Sequence, residues 1–364
     1  MEKHSKSPKK NPGALSCFCS RSNSSSSSNR GRRMGKRSPK GRGGRFVSDS
    51  DESERGSSEG SFYSIVNDDL DVSNYIAGPM AVAGKTFRMG ETVRMNQGLA
   101  STDITTFSLC DNSRFNVRIG PDYHRNGLKA PSLSTLYHAV GVDVLRGDTI
   151  VSNVAPHLMF PPVPEYYDAA CNLPALLIVN TQLPLAMPSL FSASENDPGW
   201  SCIGYFMIKK ETVDWVLNRT TSSESAPPAI KVFQRLLEKG FSERSLALKA
   251  IGMIHNIEDQ DLPMMNILQK YNGKPVLVTA SSKFHFGQVP YPYLEIDYNV
   301  RKWSLLARTT LVQIGDKLKN LSCHIGYLVE ATENDDLPER MLGVVTVHNI
   351  SVDNARWVDF SQQE

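Results

Sequence analysis

The sequence predicts an α+β fold: a mostly antiparallel sheet of about seven to eight strands packed on a long C-terminal helix, behind a disordered N-terminal tail. Three observations carry that reading. Apolar or alternating segments of strand length recur between residues 115 and 350. Residues 301–320 hold one apolar stripe at helical spacing. The helical segments are too few and too irregularly placed for strict βαβ alternation.

The 364-residue chain carries a net charge of +2 that hides an asymmetry. Residues 1–45 hold 13 Lys/Arg against the single acid Glu2. The acidic run at 48–54 follows, and the remainder of the chain is mildly acidic. Residues 1–60 are low in complexity, with a pure serine run at 24–28 and a Gly/Arg/Lys-rich stretch at 30–45. Such a segment buries too little apolar surface to offset the entropy of ordering, so it reads as a disordered basic, Ser-rich tail. Residues 61–106 read as a poorly ordered connector in which Phe62, Tyr63, Ile65 and Val66 can dock on the body. The folded domain is expected over residues 107–358.

Within it, 115–119 alternates as Phe-Asn-Val-Arg-Ile, the pattern of a half-buried strand. Residues 136–145, 175–183 and 203–208 read as further strands, and 220–226 as a loop. Residues 228–239 have helix punctuation: Ser225 as a cap, Pro228 in the first turn, and Gly240 just past the end. Ile230, Phe233 and Leu237 share its apolar face. Strands are predicted at 245–254, 275–279 and 293–300. The helix over 301–320 carries Trp303, Ala307, Leu311, Ile314, Leu318 and Leu321 on one stripe. It is long enough, at ~30 Å, to cross a whole sheet. Strands at 324–330 and 344–350 close the domain.

The six cysteines are scattered and no secretory apolar segment opens the chain, which favours a reducing, cytoplasmic setting. No apolar run approaches the roughly 18–20 residues of a membrane helix. No GxSxG, P-loop or dinucleotide fingerprint occurs. His255, His285, His324 and His348 lack metal-ligand spacing, and Cys323 and His324 face opposite sides of their strand, so neither metal nor cofactor is expected.

Five blocks resemble the C-terminal domain of the plant Enhanced Disease Resistance two proteins. They are Phe107 to Arg118 with Tyr123 and Lys129-Ala-Pro131; Val179-Asn180-Thr181-Gln182; Gly273-Lys274-Pro275; Tyr293-Leu294-Glu295-Ile296-Asp297 with Ala307-Arg308; and Leu337-Pro338-Glu339 with Leu342-Gly343. The resemblance spans about residues 107–351. Phe107 stands where the family usually has Trp, and the loop after Gln182 is rich in Ser and Pro. In larger members this domain follows a pleckstrin-homology module and a START lipid-transfer module, and neither pattern occurs here. The resemblance therefore implies a stand-alone copy, suggests lipid association by company, and carries over no established chemistry.

Candidate site residues follow from the strands. Glu295 and Asp297 are two apart, so both face one side while Leu294, Ile296 and Tyr298 face the other. They are either a paired-carboxylate site for acid–base work or a cation, or a structural pair bonded to Arg118, Arg308 or backbone N–H groups. Asn180 and Gln182 repeat the spacing. If the two strands are neighbours, four polar side chains line one face. Arg118, Tyr123 and Lys129 are candidates for a phosphate or carboxylate headgroup, or partners for local acids.

Cys17 and Cys19 beside basic residues are candidates for palmitoylation, or a chance pair. The 30–45 stretch can lie on an anionic membrane surface. Nuclear import and an organelle presequence, including a plastid one, are competing readings of the same stretch. Its lack of aromatic residues speaks against single-stranded nucleic acid. The acid-flanked serines at 48–53 would weaken membrane contact if phosphorylated. The expectation is a non-enzymatic lipid- or amphiphile-binding domain, peripherally membrane-associated through the basic tail. The alternatives are an enzyme using Glu295 and Asp297, with Arg118 and Arg308, or an interaction scaffold without a pocket.

Overall fold

The structure, a computed structural model, describes residues 74–81, 86–96, 104–187, 197–220, 225–239 and 247–360. The described residues all fall within one compact unit, residues 56–364. The expected basic tail, Cys17, Cys19, the phosphorylatable serines and the docking residues Phe62, Tyr63, Ile65 and Val66 lie outside the described residues.

In chain order the strands are β1 (Ile76–Ala77), β2 (Phe87–Arg88), β3 (Arg94–Met95), β4 (Thr106–Ser108), β5 (Asn116–Arg118), β6 (Lys129–Pro131), β7 (Tyr137–Gly147), β8 (Leu158–Phe160) and β9 (Leu176–Pro184). Then come β10 (Gly199–Ile208), β11 (Leu248–Ile254), β12 (Pro275–Leu277), β13 (Ser282–Gly287), β14 (Tyr293–Asn299), β15 (Ser322–Val329), β16 (Gly343–His348) and β17 (Arg356–Trp357). The α-helices are α1 (Tyr123–Asn126), α2 (Lys210–Val216), α3 (Pro228–Lys239), α4 (Met265–Tyr271) and α5 (Leu305–Gly315).

The α+β class and the dominance of antiparallel pairing hold. The strands do not form one sheet of seven to eight. They divide between a first six-stranded sheet, β13-β14-β9-β10-β7-β17, and a second, β12-β11-β15-β16-β4-β3. Smaller sheets join β1-β8-β2 and β5-β6. In the first sheet β14 and β9 run parallel, with Asp297 opposite Asn180 and Asn299 opposite Gln182.

The two large sheets share one core. Leu177 and Val179 (β9), Phe206 (β10) and Leu294 and Ile296 (β14) meet Leu248 (β11), Tyr327 (β15) and Val347 (β16) in a single buried cluster. Phe233 and Leu236 of α3 complete it. Each such fully buried side chain contributes ~1.5–3 kcal/mol. The opposite face of the first sheet is covered too. Leu145, Ile178, Ile203 and Tyr205 pack there against Phe87, Val154, Leu158 and Phe160. A sheet buried on both faces needs near-continuous apolar strands, which is why β9 begins Leu176-Leu-Ile-Val before turning polar.

Two expectations are corrected. Little fixed structure was expected before Phe107, yet β1 to β3 pair there, and Phe87, Met89 and Val93 are buried. Their apolar surface is too sparse to read in sequence but finds a ready-made sheet face to cover. The helix expected over 301–320 is shorter. Ser304 caps it through Ala307 N–H, and it ends at Gly315 between 3-10 turns at Val300–Lys302 and Leu318–Asn320. A serine favours the cap over the helix interior. Ile314, Leu318 and Leu321 of the stripe enter the core, whereas Trp303 and Leu311 only pack at its margin.

Candidate functional site

The polar face anticipated from β9 and β14 exists. Leu294, Ile296 and Tyr298 enter the inter-sheet core, so alternation sends Glu295, Asp297 and Asn299 to the other face. The parallel register sets Asn180 and Gln182 beside them. All four candidates, Asn180, Gln182, Glu295 and Asp297, are buried there. What holds them is the segment from Val151 to Ala155.

Glu295 accepts from the backbone N–H groups of Val154 and Ala155, both at 2.8 Å. These donors open the 3-10 turn at Ala155–His157, where no preceding turn supplies acceptors. Asp297 takes four donors: the Ser152 hydroxyl at 2.5 Å, Asn153 N–H at 2.9 Å, His285 Nε2 at 3.0 Å and Asn180 Nδ2 at 2.8 Å. Asn153 sits in the left-handed region at φ 52°, a conformation asparagine tolerates. Asn180 and Gln182 each donate to the Val151 carbonyl, at 2.9 and 2.8 Å.

Three of these donors fall on Asp297 Oδ2 and one on Oδ1, and the Glu295 carboxyl is a further hydrogen-bond partner, which leaves Asp297 little acceptor capacity for a ligand. Burial and the adjacent Asp297 push the Glu295 carboxyl well above the usual carboxylate range. The donors around Asp297 outweigh its burial and hold it low. The pair therefore keeps one proton, on Glu295, and one charge, on Asp297.

A third carboxylate on this face escaped the sequence reading. Asp143 of β7 lies in line with Asn180 and Asp297 through Ile203. It accepts from Gly90 N–H, Thr92 N–H and the Thr92 hydroxyl, each at 2.8 Å. Burial raises it to about 6. The signal was present, because an acid between Val142 and Val144 in a buried strand needs donors from elsewhere.

The carboxylate pair is bonded to neither Arg118 nor Arg308. Arg118 pairs with Glu330 at 2.6 Å and Glu339 at 3.7 Å, and stacks over Tyr123 at 4.8 Å. Lys249 joins the same acids at 3.0 and 3.3 Å. Lys129 pairs in register with Arg118 across β5–β6 and is exposed. The Arg118 group thus finds local acids. Arg308 lies on α5, its Nε buried without a hydrogen-bond partner among the described residues. Of the histidines, His324 contacts Thr346 at 2.8 Å and His255 at 3.2 Å. His348 sits between Ser108 and Ser322. Among the described residues no cluster of three or more His, Cys, Asp or Glu is placed to hold a metal ion.

Beside the latched segment lies a cleft of about 270 Å³. Thr149, Ser152, Gln182, Lys283, Asn299 and Lys302 line it, with Asp297 in its wall and Ile150 the one apolar member. Lys283 comes from the edge strand β13, opposite Asp297 in register, and Lys302 from the 3-10 turn after β14. Sequence reasoning found Gln182 and Asp297 but not the lysines, because neither stands in a motif.

The family model described as Protein ENHANCED DISEASE RESISTANCE 2, C-terminal, matches residues 107–351, about two thirds of the chain. The chain belongs to that family. No curated protein and no solved structure matches it. The ENHANCED DISEASE RESISTANCE 2 C-terminal region takes in the strands of both large sheets from β4 to β16, the five described α-helices and the whole cleft, while β1 to β3 and β17 lie beyond the matched residues.

Proposed function

We propose that this is a non-enzymatic binding domain for a lipid or other amphiphile, which takes the ligand's polar end in the cleft and leaves its apolar part outside. The observation that carries the reading is the cleft itself: a polar, two-lysine recess in which Asp297 already holds donors of its own. At about 270 Å³ it falls just under the ~300–1,000 Å³ of sites that enclose drug-sized ligands. A headgroup suits it better than an acyl chain. The space between the two large sheets is occupied by core side chains. Leu305 and Leu306, 36% and 49% exposed, begin α5 three residues after Lys302 and offer apolar surface.

The little acceptor capacity left on Asp297 argues for binding over acid–base chemistry, since a general base needs a free lone pair within reach of its substrate. Peripheral membrane association through residues 30–45 belongs to the same proposal. Each base near an anionic surface adds ~1 kcal/mol. The test is native mass spectrometry of the purified chain, with uptake from liposomes as the second arm. Near-stoichiometric co-purifying lipid or amphiphile is expected. Its absence together with no uptake would overturn the reading. Flotation with anionic liposomes tests the tail: equal binding by the full chain and by one starting near residue 61 removes it.

A further inference from the structure

We propose that residues 62–66 of this chain dock on one end of the first sheet, against the proline-rich loops that follow β8 and β13. This surface is separate from the cleft, which opens at the other end of β14, where Asn299 and Lys302 line it.

At the docking end the side chains follow one another in contact. Ile76 pairs in register with Phe160. The Phe160 ring lies 5.7 Å from the rings of Tyr291 and Tyr293. The Tyr291 hydroxyl donates to the Pro161 carbonyl at 3.1 Å, which ties the two loops together. The loops read Pro161-Pro162-Val163-Pro164 and Gln288-Val289-Pro290-Tyr291-Pro292, with no charged residue in either. Around this aromatic cluster Ile76, Val163 and Val289 stand 44%, 36% and 56% exposed. Proline fixes φ, so the loops present their valines on a surface that loses little freedom when it is covered. Removing those side chains from water drives the contact.

The point where the chain enters the body selects the occupant. The first described residue is Asn74. Burial, and after it the neighbouring Tyr75, raise the Tyr291 hydroxyl, which sets the entering chain beside the second loop. The residues just before Asn74 include Phe62, Tyr63, Ile65 and Val66. Val66 precedes Asn74 by eight residues and Phe62 by twelve, a reach of at most ~29 and ~43 Å. Tethering of that length gives an effective concentration on the order of millimolar. A second copy at micromolar concentration would need contact about a thousandfold tighter to compete. An anionic bilayer is a poor occupant. Residues 46–73 carry eight acids against Arg55, and this charge arrives at the same surface.

Hydrogen exchange of the full chain, read by mass spectrometry, tests the contact from both sides. Wild type is compared with Val163→Ser/Val289→Ser, Val163→Leu/Val289→Leu and Phe62→Ser/Ile65→Ser. Both valines are exposed, so the fold is expected to survive, and heat unfolding checks this. In wild type the amides of residues 62–66 are expected to exchange at least about tenfold more slowly than those of an unstructured peptide. The loop serines remove that protection and the loop leucines keep it. Phe62→Ser/Ile65→Ser speeds exchange in the 288–291 loop by about the same factor.

Exchange at 62–66 that is unprotected in wild type, or unchanged by the loop serines, overturns the proposal. A concentration-dependent dimer in sedimentation that the loop serines abolish makes a second copy the occupant and overturns it too. Flotation on phosphatidylserine-containing vesicles that the loop serines abolish does the same in favour of a bilayer. None of these outcomes touches the lipid uptake by which the cleft is tested.

Discussion

Asp297→Asn and Glu295→Gln differ by the same single atom exchange, yet they are expected to differ severalfold in effect. Asp297 carries the charge of the pair and receives four donors. Its amide replacement has one carbonyl oxygen, and its N–H₂ must face either Asn180 Nδ2 or the set from Ser152, Asn153 and His285. Asn180 cannot simply rotate, because both its N–H bonds are used, one on Val151 and one on Asp297. At least one buried donor is orphaned, at about 1–3 kcal/mol. The contacts that remain lose their charge assistance, roughly half their strength. A loss of about 3 kcal/mol follows, or roughly 6–10 °C in Tm for a domain of this size. Glu295 is the protonated member, and glutamine is its neutral isostere. That change disturbs one of two backbone contacts, worth about 1 kcal/mol. Urea and heat unfolding of both variants at neutral pH measure the difference. If Glu295→Gln is as damaging as Asp297→Asn, the charge sits on the other carboxylate and the latch reasoning is wrong.

His324 is pushed down to about 4 by its burial, with nearby Arg114 and the neighbouring histidines adding to the effect. Below its ordinary value of 6.5 the unfolded chain takes the proton first, so its contribution is full above pH 6.5 and is lost as pH falls toward 4, by up to about 3 kcal/mol. Asp143 acts in the opposite sense. Its folded value near 6 lies above the ordinary 3.8, so its contribution is lost as pH rises through 6. His324→Gln should therefore lose less stability than wild type between about pH 7 and about pH 5, and equal slopes in urea unfolding would exclude the assignment. Gly199→Ala is expected to destabilise by about 1–3 kcal/mol, because the added Cβ meets the Arg301 guanidinium and the Leu183 carbonyl oxygen at 2.8 Å. An unchanged urea midpoint would show that both neighbours yield freely.

Most strands were legible because burial imposes a period. The alternation in 293–300 placed β14 and assigned Glu295 and Asp297 to one face, as β14 places them. The helix at 228–239 has the bounds that Pro228 and Gly240 suggested, and the register of β9 brought Asn180 and Gln182 to the carboxylates as their matching spacing allowed. The long helix failed because a continuous stripe does not report a cap within it. Ser304 spends its hydroxyl on Ala307 N–H and starts the helix four residues late.

What the sequence determined alone is local: which residues pair as strands, which face each side chain takes, and that the body has enough apolar surface to fold. Those properties depend on neighbours two to four positions away. Only the tertiary structure decided that the strands form two sheets, that Val151–Ala155 lies over the carboxylates, and that Lys283 and Lys302 share a recess. Glu295 and its backbone donors are about 140 residues apart in the chain. No sequence period spans such a distance, and the contact forms because a buried carboxylate and the open end of a turn each need the other's hydrogen bonds.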